Sequence, residues 1–150
     1  MKFPRALIAL LLAGLLLTGC STMAADNNGQ AVENGQFMKR TVMVDGEKRT
    51  YQVFVPASHS TKKPLPIVLF LHGSGERGSD GENQLTAGLG PYVRAHATDF
   101  PAIVVFPQVP DNGEWMGNNG DMALAALDAS SKEFNGDPKR TFLSGLSMGG

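Results

Sequence analysis

The stretch DPKRTFLSGLSMGG, Asp137 to Gly150, joins a short apolar run, Thr141 to Leu143, to the pattern G-x-S-x-G at Gly145, Ser147 and Gly149. The pattern alone is common by chance, and its weight comes from what precedes it. A nucleophilic serine needs its hydroxyl lifted clear of a sheet on a strained strand-to-helix turn, and a glycine two residues to either side lets the backbone approach closely. The run ending in Gly145 supplies the strand. It is expected to be short and buried, entered through a turn at Asp137-Pro138.

Upstream, PLPIVLFLH (Pro64 to His72) carries five consecutive apolar residues, Ile67 to Leu71, without alternation. That is the mark of a strand buried on both faces of a parallel sheet. Ala102 to Phe106 is a second such run, bounded by Pro101 and Pro107. Between them, Gln84 to Ala97 is a helix candidate broken around Gly88 to Pro91. After them, Asn118 to Asp121 offers capping side chains for the helix MALAALDASSKEF, with Ala123, Leu127 and Phe134 near one face and Asn135-Gly136 as its stop. Nearer the start, Thr41 to Val44 and Tyr51 to Val55 flank Asp45-Gly46, a strong hairpin signal. The order is a β-hairpin followed by β-α-β-α-β, which predicts an α/β domain over 37–150 with a mostly parallel sheet and helices on its faces.

Two segments point to acyl-transfer chemistry. Such a site meets its oxyanion with backbone N–H groups, one from the residue after the nucleophile and one from the loop after the third strand. These positions are Met148 and, in Leu71-His72-Gly73-Ser74-Gly75, Ser74. His72 is expected to orient that loop and not to act as the base, because in this arrangement the catalytic histidine follows the serine in the chain. Gly73 to Gly78 also satisfies G-x-G-x-x-G, with Asp99 further on. A dinucleotide site needs the third glycine to open a helix packed on the sheet, however, and Ser79 to Asn83 is polar and turn-like. Glu76, Arg77 and Asp80 read as a solvated turn in preference to the rim of a cleft. Trp115, the only tryptophan, either walls a pocket or caps the core. His59 and His96 lack ligand partners in sequence and read as surface residues, so no metal or organic cofactor is implied.

The net charge of −1 offers no field for nucleic acid. The single cysteine, Cys20, excludes an internal disulfide framework. Residues 1–19 have the anatomy of a secretory signal: Lys2 and Arg5, an apolar run from Ala6 to Leu17 too short to span a bilayer, then small residues. Leu17-Thr18-Gly19-Cys20 resembles the bacterial lipobox. That resemblance implies cleavage before Cys20 and lipidation of its thiol, and Ser21 favours the outer membrane, facing the periplasm. The polar residues 20–36 then read as a flexible tether.

Taken together, LPIVLFLHGSGERGSD, PAIVVFPQVP with Trp115 behind it, and DPKRTFLSGLSMGG resemble the α/β-hydrolase superfamily. They are most similar to exported serine esterases and prolyl-oligopeptidase-like peptidases of the phospholipase/carboxylesterase and polyhydroxybutyrate-depolymerase type. The resemblance covers residues 37–150 and implies the N-terminal half of an α/β-hydrolase fold. Ser147 is then the nucleophile, the N–H groups of Ser74 and Met148 form the oxyanion hole, and His72 supports it. The implied substrate is a small or polymeric carboxylic ester. A peptidase or amidase of the same fold, or a non-catalytic envelope lipoprotein that binds, are the alternatives. The family places an acid and then a histidine after the nucleophile, and this sequence carries neither after Ser147. The expectation is a fold truncated at the nucleophile elbow, with the apolar sheet edge at Thr141 to Gly145 left uncovered, and a 150-residue chain that is catalytically incompetent.

Overall fold

The structure, a computed structural model, describes residues 34–150. The expected signal peptide 1–19, Cys20 and most of the tether lie outside the described residues. Chain order is β1 (Gln36–Val44), β2 (Glu47–Val55), β3 (Leu65–Leu71), α1 (Leu89–Ala95), β4 (Ile103–Pro107), α2 (Asn118–Glu133) and β5 (Gly136–Gly145), with 3₁₀ turns at Ser74–Glu76, Asn83–Leu85 and Ser147–Gly149.

The strands form one sheet in the order β1-β2-β4-β3-β5. β3 pairs in parallel with β4 and β5, while β2 runs antiparallel to β1 and β4. The hairpin turns through Asp45 (φ 49°) and Gly46 (φ 80°), two left-handed residues whose twist matches that of the strands they join. β3 and β4 are buried on both faces, as their unbroken apolar runs require. Ile67, Leu69, Ile103 and Val105 face α2 together with Tyr51, Val53, Ala123 and Ala126. Phe70, Val104 and Phe106 face the other way, toward Phe54, Leu85 and Val93 of α1. Adjacent residues thus feed two separate cores, and each fully buried aliphatic side chain contributes about 1.5–3 kcal/mol.

Both helices differ in detail from the expected ones. A 3₁₀ turn ends at Leu85, and α1 starts only after Gly88 at φ 62°, so the anticipated break is present. α2 begins at Asn118 behind Gly117, which has φ 52° and makes no side-chain cap. The expected capping by Asn118 to Asp121 is therefore corrected: the Asn119 amide instead donates to the Glu114 carbonyl at 2.9 Å. Met122, Ala123, Ala126 and Ser130 are the buried residues of α2, and their mostly small side chains let it lie close to the sheet.

β5 corrects the expectation of a short buried strand. It spans ten residues, and none of them is buried. Leu65 pairs with Gly136 but Ile67 with Thr141, so residues 137–140 bulge out of register. The expected turn is this bulge, closed by Asp137, which accepts the Lys139 N–H at 2.9 Å and the Arg140 Nε–H at 2.7 Å. β5 lies at the sheet edge beside β3 alone, so Phe142 and Leu143 stay 54% and 69% exposed.

Candidate active site

The three parallel strands β3, β4 and β5 end at the same edge of the sheet, the edge where open α/β sheets bind ligands. From β5 the chain enters a sharp turn. Leu146 is still extended, and its N–H donates to Leu71 O of β3 at 3.0 Å. Ser147 then takes φ 52°, a left-handed conformation that costs a non-glycine residue about 1–2 kcal/mol. The turn closes through Gly149 N–H to Leu146 O (2.9 Å) and Gly150 N–H to Ser147 O (3.0 Å). A Cβ at Gly145 would overlap the carbonyl of Gly149, and one at Gly149 would overlap the carbonyl of Leu71. Both flanking glycines are therefore required by close backbone approach, and Ser147 is exposed between them.

The loop after β3 packs against this turn. A Cβ built on Gly73 lies 3.4 Å from the Ser147 Cβ. The next three residues, Ser74–Glu76, make a single 3₁₀ turn. No helix opens at Gly78, so the G-x-G-x-x-G run lacks the helix a dinucleotide pyrophosphate needs. Among the described residues, neither the Ser74 nor the Met148 N–H donates a hydrogen bond to the protein. Each is a free amide of a tight turn at or beside Ser147.

His72 is buried and committed at both ring nitrogens. Nε2 accepts the Val109 N–H at 3.0 Å, which requires the ring proton on Nδ1, and Nδ1–H donates to Gly73 O at 2.6 Å. Burial pushes its pKa below the ordinary 6.5, with the Gly73 hydrogen bond opposing that shift. The indole of Trp115 stands edge-on to His72 at 4.8 Å and donates to the His72 carbonyl at 2.9 Å. Trp115 also packs against the core on the α2 side and lines an apolar cleft of about 280 Å³ with Leu71, Leu124, Leu127 and Phe142. It therefore does both things its sequence position left open.

Arg77 and Asp80 are more than a solvated turn. Arg77 donates from Nε to Gly113 O at 2.6 Å and from a terminal nitrogen to the Met148 sulfur at 2.9 Å, linking the Trp115 loop to the residue after Ser147. The Asp80 carboxylate accepts from the backbone of Asn83 and Glu82 and from Gln108 Nε2, and these bonds hold its pKa down to about 2. Gln108 Oε1 accepts the Gly81 N–H at 2.7 Å, and Gln52 donates to Gly81 O at 2.8 Å. The sequence reading missed Gln52 and Gln108. The available signal was an amide side chain inside or just after an otherwise apolar strand, where burial obliges it to find partners.

The other two histidines lie at the opposite edge of the sheet. His59 precedes β3 and packs edge-on against Phe134, while His96 ends α1 ahead of β4, with Nδ1 2.8 Å from Tyr92 O. Both are partly buried and not simply surface residues. Among the described residues no group of His, Cys, Asp and Glu is placed to hold a metal ion, and no helix is long and apolar enough to cross a membrane.

No protein-family model matches this sequence, and no curated protein matches it. Solved structures do. The chain is similar to a thermostable esterase at 28% identity and a TM-score of 0.64, over 75% of this chain and 34% of that one. It is similar to a ferulic acid esterase at 21% identity and a TM-score of 0.59, over 79% and 51%. It is also similar to a fluorophosphonate-binding serine hydrolase of Staphylococcus aureus at 22% identity and a TM-score of 0.55, over 77% and 49%. The chain thus spans between a third and about half of the structures it matches. These neighbours are esterases and serine hydrolases of the α/β-hydrolase type, and the mixed α/β sheet is consistent with part of that fold.

Proposed function

We propose that these residues form the nucleophile-bearing part of a serine hydrolase that cleaves carboxylic esters. Ser147 attacks the acyl carbonyl, and the free N–H groups of Ser74 and Met148 receive the oxyanion. His72 holds the Ser74 loop through its two hydrogen bonds. The observation that carries this reading is the left-handed Ser147, exposed between two glycines that have no room for a Cβ. Esterase neighbours favour esters over amides as substrate.

A serine hydroxyl near neutral pH is a weak nucleophile without a base. All three histidines of the sequence are accounted for: His72 has no ring nitrogen to spare, and His59 and His96 stand at the far edge. No histidine of the sequence is therefore placed to take the proton of Ser147, and the chain by itself is expected to hydrolyse p-nitrophenyl butyrate no faster than buffer. Turnover that Ser147→Ala abolishes would overturn that expectation.

The role of Ser147 is tested separately by chemical rescue. With concentrated free imidazole as an external base, a fluorophosphonate should modify Ser147 selectively, as located by peptide mass spectrometry. An adduct on Ser144 or Ser74 instead, or labelling that persists unchanged in Ser147→Ala, would remove Ser147 from the mechanism. We also propose that Cys20 carries a lipid that tethers the domain to a bacterial envelope membrane. Palmitate incorporation in a bacterial host, lost in Cys20→Ala, is the expected result.

A further inference from the structure

A second cleft opens at the same edge of the sheet, on the far side of β4. Its volume is about 130 Å³, and its walls include Lys48, Arg49, Thr50, Ser79 and Gln108. Its position follows from strand register. Tyr51 of β2 pairs with Pro107 at the end of β4, and the two strands are antiparallel, so Lys48 to Thr50 extend past the end of β4 toward the edge that carries Ser147. β2 and β5 are three strand spacings apart in the order β2-β4-β3-β5, which places the cleft about 14 Å to the side of Ser147.

The chemistry of the walls is one-sided. Two cations and two hydroxyls line the cleft, and no carboxylate does. Among the described residues, the Lys48 ammonium and the hydroxyls of Thr50 and Ser79 make no hydrogen bond or ion pair. Arg49 is held in place, its side chain only 15% exposed, by a 2.8 Å bond to Asn119 Oδ1. The nearby carboxylates are weak competitors. Glu47 is 75% exposed and 3.9 Å from Arg49, and Asp80, whose carboxylate stays ionised, is bound to Glu82, Asn83 and Gln108 and is not among the residues that line the cleft. Gln108, with both ends of its amide committed, forms a fixed floor.

We propose that this cleft is a binding subsite for an anionic group, a carboxylate or phosphate, carried on the substrate about 14 Å from the ester that Ser147 attacks. An anion there gains the unspent Lys48 charge and hydroxyl donors from Thr50 and Ser79, while the Arg49 guanidinium, held by Asn119 on the α2 face of β2, adds only its field. The word substrate rests on the proposed ester hydrolysis; the anion site itself does not.

The two are separated by titrating the ¹⁵N-labelled 150-residue chain with inorganic phosphate and, in a second arm, with monomethyl glutarate, against sodium chloride at matched ionic strength. Saturable shifts of the Thr50, Gly78 and Ser79 amides are expected in one or both arms. Phosphate alone would point to a phosphorylated substrate, and glutarate to a carboxylated one. Lys48→Gln should weaken binding about fivefold, the worth of one charge near 4 Å at a wetted surface, and Lys48→Glu should abolish it. Ser147→Ala should leave it unchanged, since that change bears only on the hydrolase reading. Absence of saturable shifts in both arms, or equal affinity in the wild type and Lys48→Gln, would overturn the subsite. Lys48 is exposed and makes no ion pair among the described residues, so its variants fold as the parent does. A thermal shift with phosphate that is present in the parent and absent in Lys48→Glu gives the same answer by a second route.

Discussion

Ser147 stores backbone strain that other residues could relieve. At φ 52° a glycine carries no Cβ penalty, so Ser147→Gly is expected to be more stable than Ser147→Ala by about 1 kcal/mol, against the usual order in which alanine wins. Urea denaturation of the two variants checks this, and equal midpoints would mean that the turn is relaxed. His72 gives a pH dependence whose sign follows from its environment. Burial lowers its folded pKa below 6.5, so between the two values the unfolded chain binds the extra proton. The stabilisation is complete above about pH 6.5 and is lost as pH falls. The slope of stability between about pH 7 and about pH 5 should therefore flatten in His72→Asn, measured by denaturation at each pH. Asp80 acts lower on the scale: its pKa of about 2 means its contribution is lost only below the ordinary carboxylate range.

Among the elements, the central strands were legible because both faces are buried, and a short apolar run without alternation fits few positions other than a strand covered on both sides. Asp45-Gly46 was legible because only a two-residue left-handed turn suits that pair between strands. β5 was misread for a physical reason. Phe142 and Leu143 look like core residues of a short buried strand, although the uncovered apolar edge at Thr141 to Gly145 was itself expected. The cap of α2 was misread because Gly117 can adopt φ 52° and begin the helix early, a freedom that outweighed the side chains of Asn118 to Asp121. The exposed edge has a measurable consequence, since unpaired strand edges with apolar side chains promote association. Leu143→Lys should suppress concentration-dependent light scattering while leaving the melting temperature nearly unchanged, because Leu143 is already 69% exposed. A fall of several degrees would show that this side chain is packed in solution.

At the scale of the whole molecule, burial is concentrated in the middle of the sheet. All five residues of β4 are buried and it pairs on both sides, whereas β1 and β5 pair on one side only. Hydrogen exchange should therefore be slowest in β4, β3 and the second half of β2, and faster by orders of magnitude in Phe142 to Gly145. Protection of β5 equal to that of β4 would contradict this ranking. The site divides along the same line. Ser147 and its glycines were readable in one short motif, and Ser74 and His72 by their place after a buried strand. Arg77, Gln108 and Gln52 act through partners 27 to 71 residues away, and a local pattern shows at most that a buried amide needs a partner, not which one.

The contact between Trp115 and His72 makes the protein its own optical reporter. With one tryptophan in the sequence, all indole emission comes from a ring that touches the histidine bracing the Ser74 loop. Displacement of that loop, by a ligand, a variant or acid, changes both the partner of the indole N–H and the polarity around the ring. Steady-state fluorescence can therefore follow the Ser74 loop in unlabelled protein.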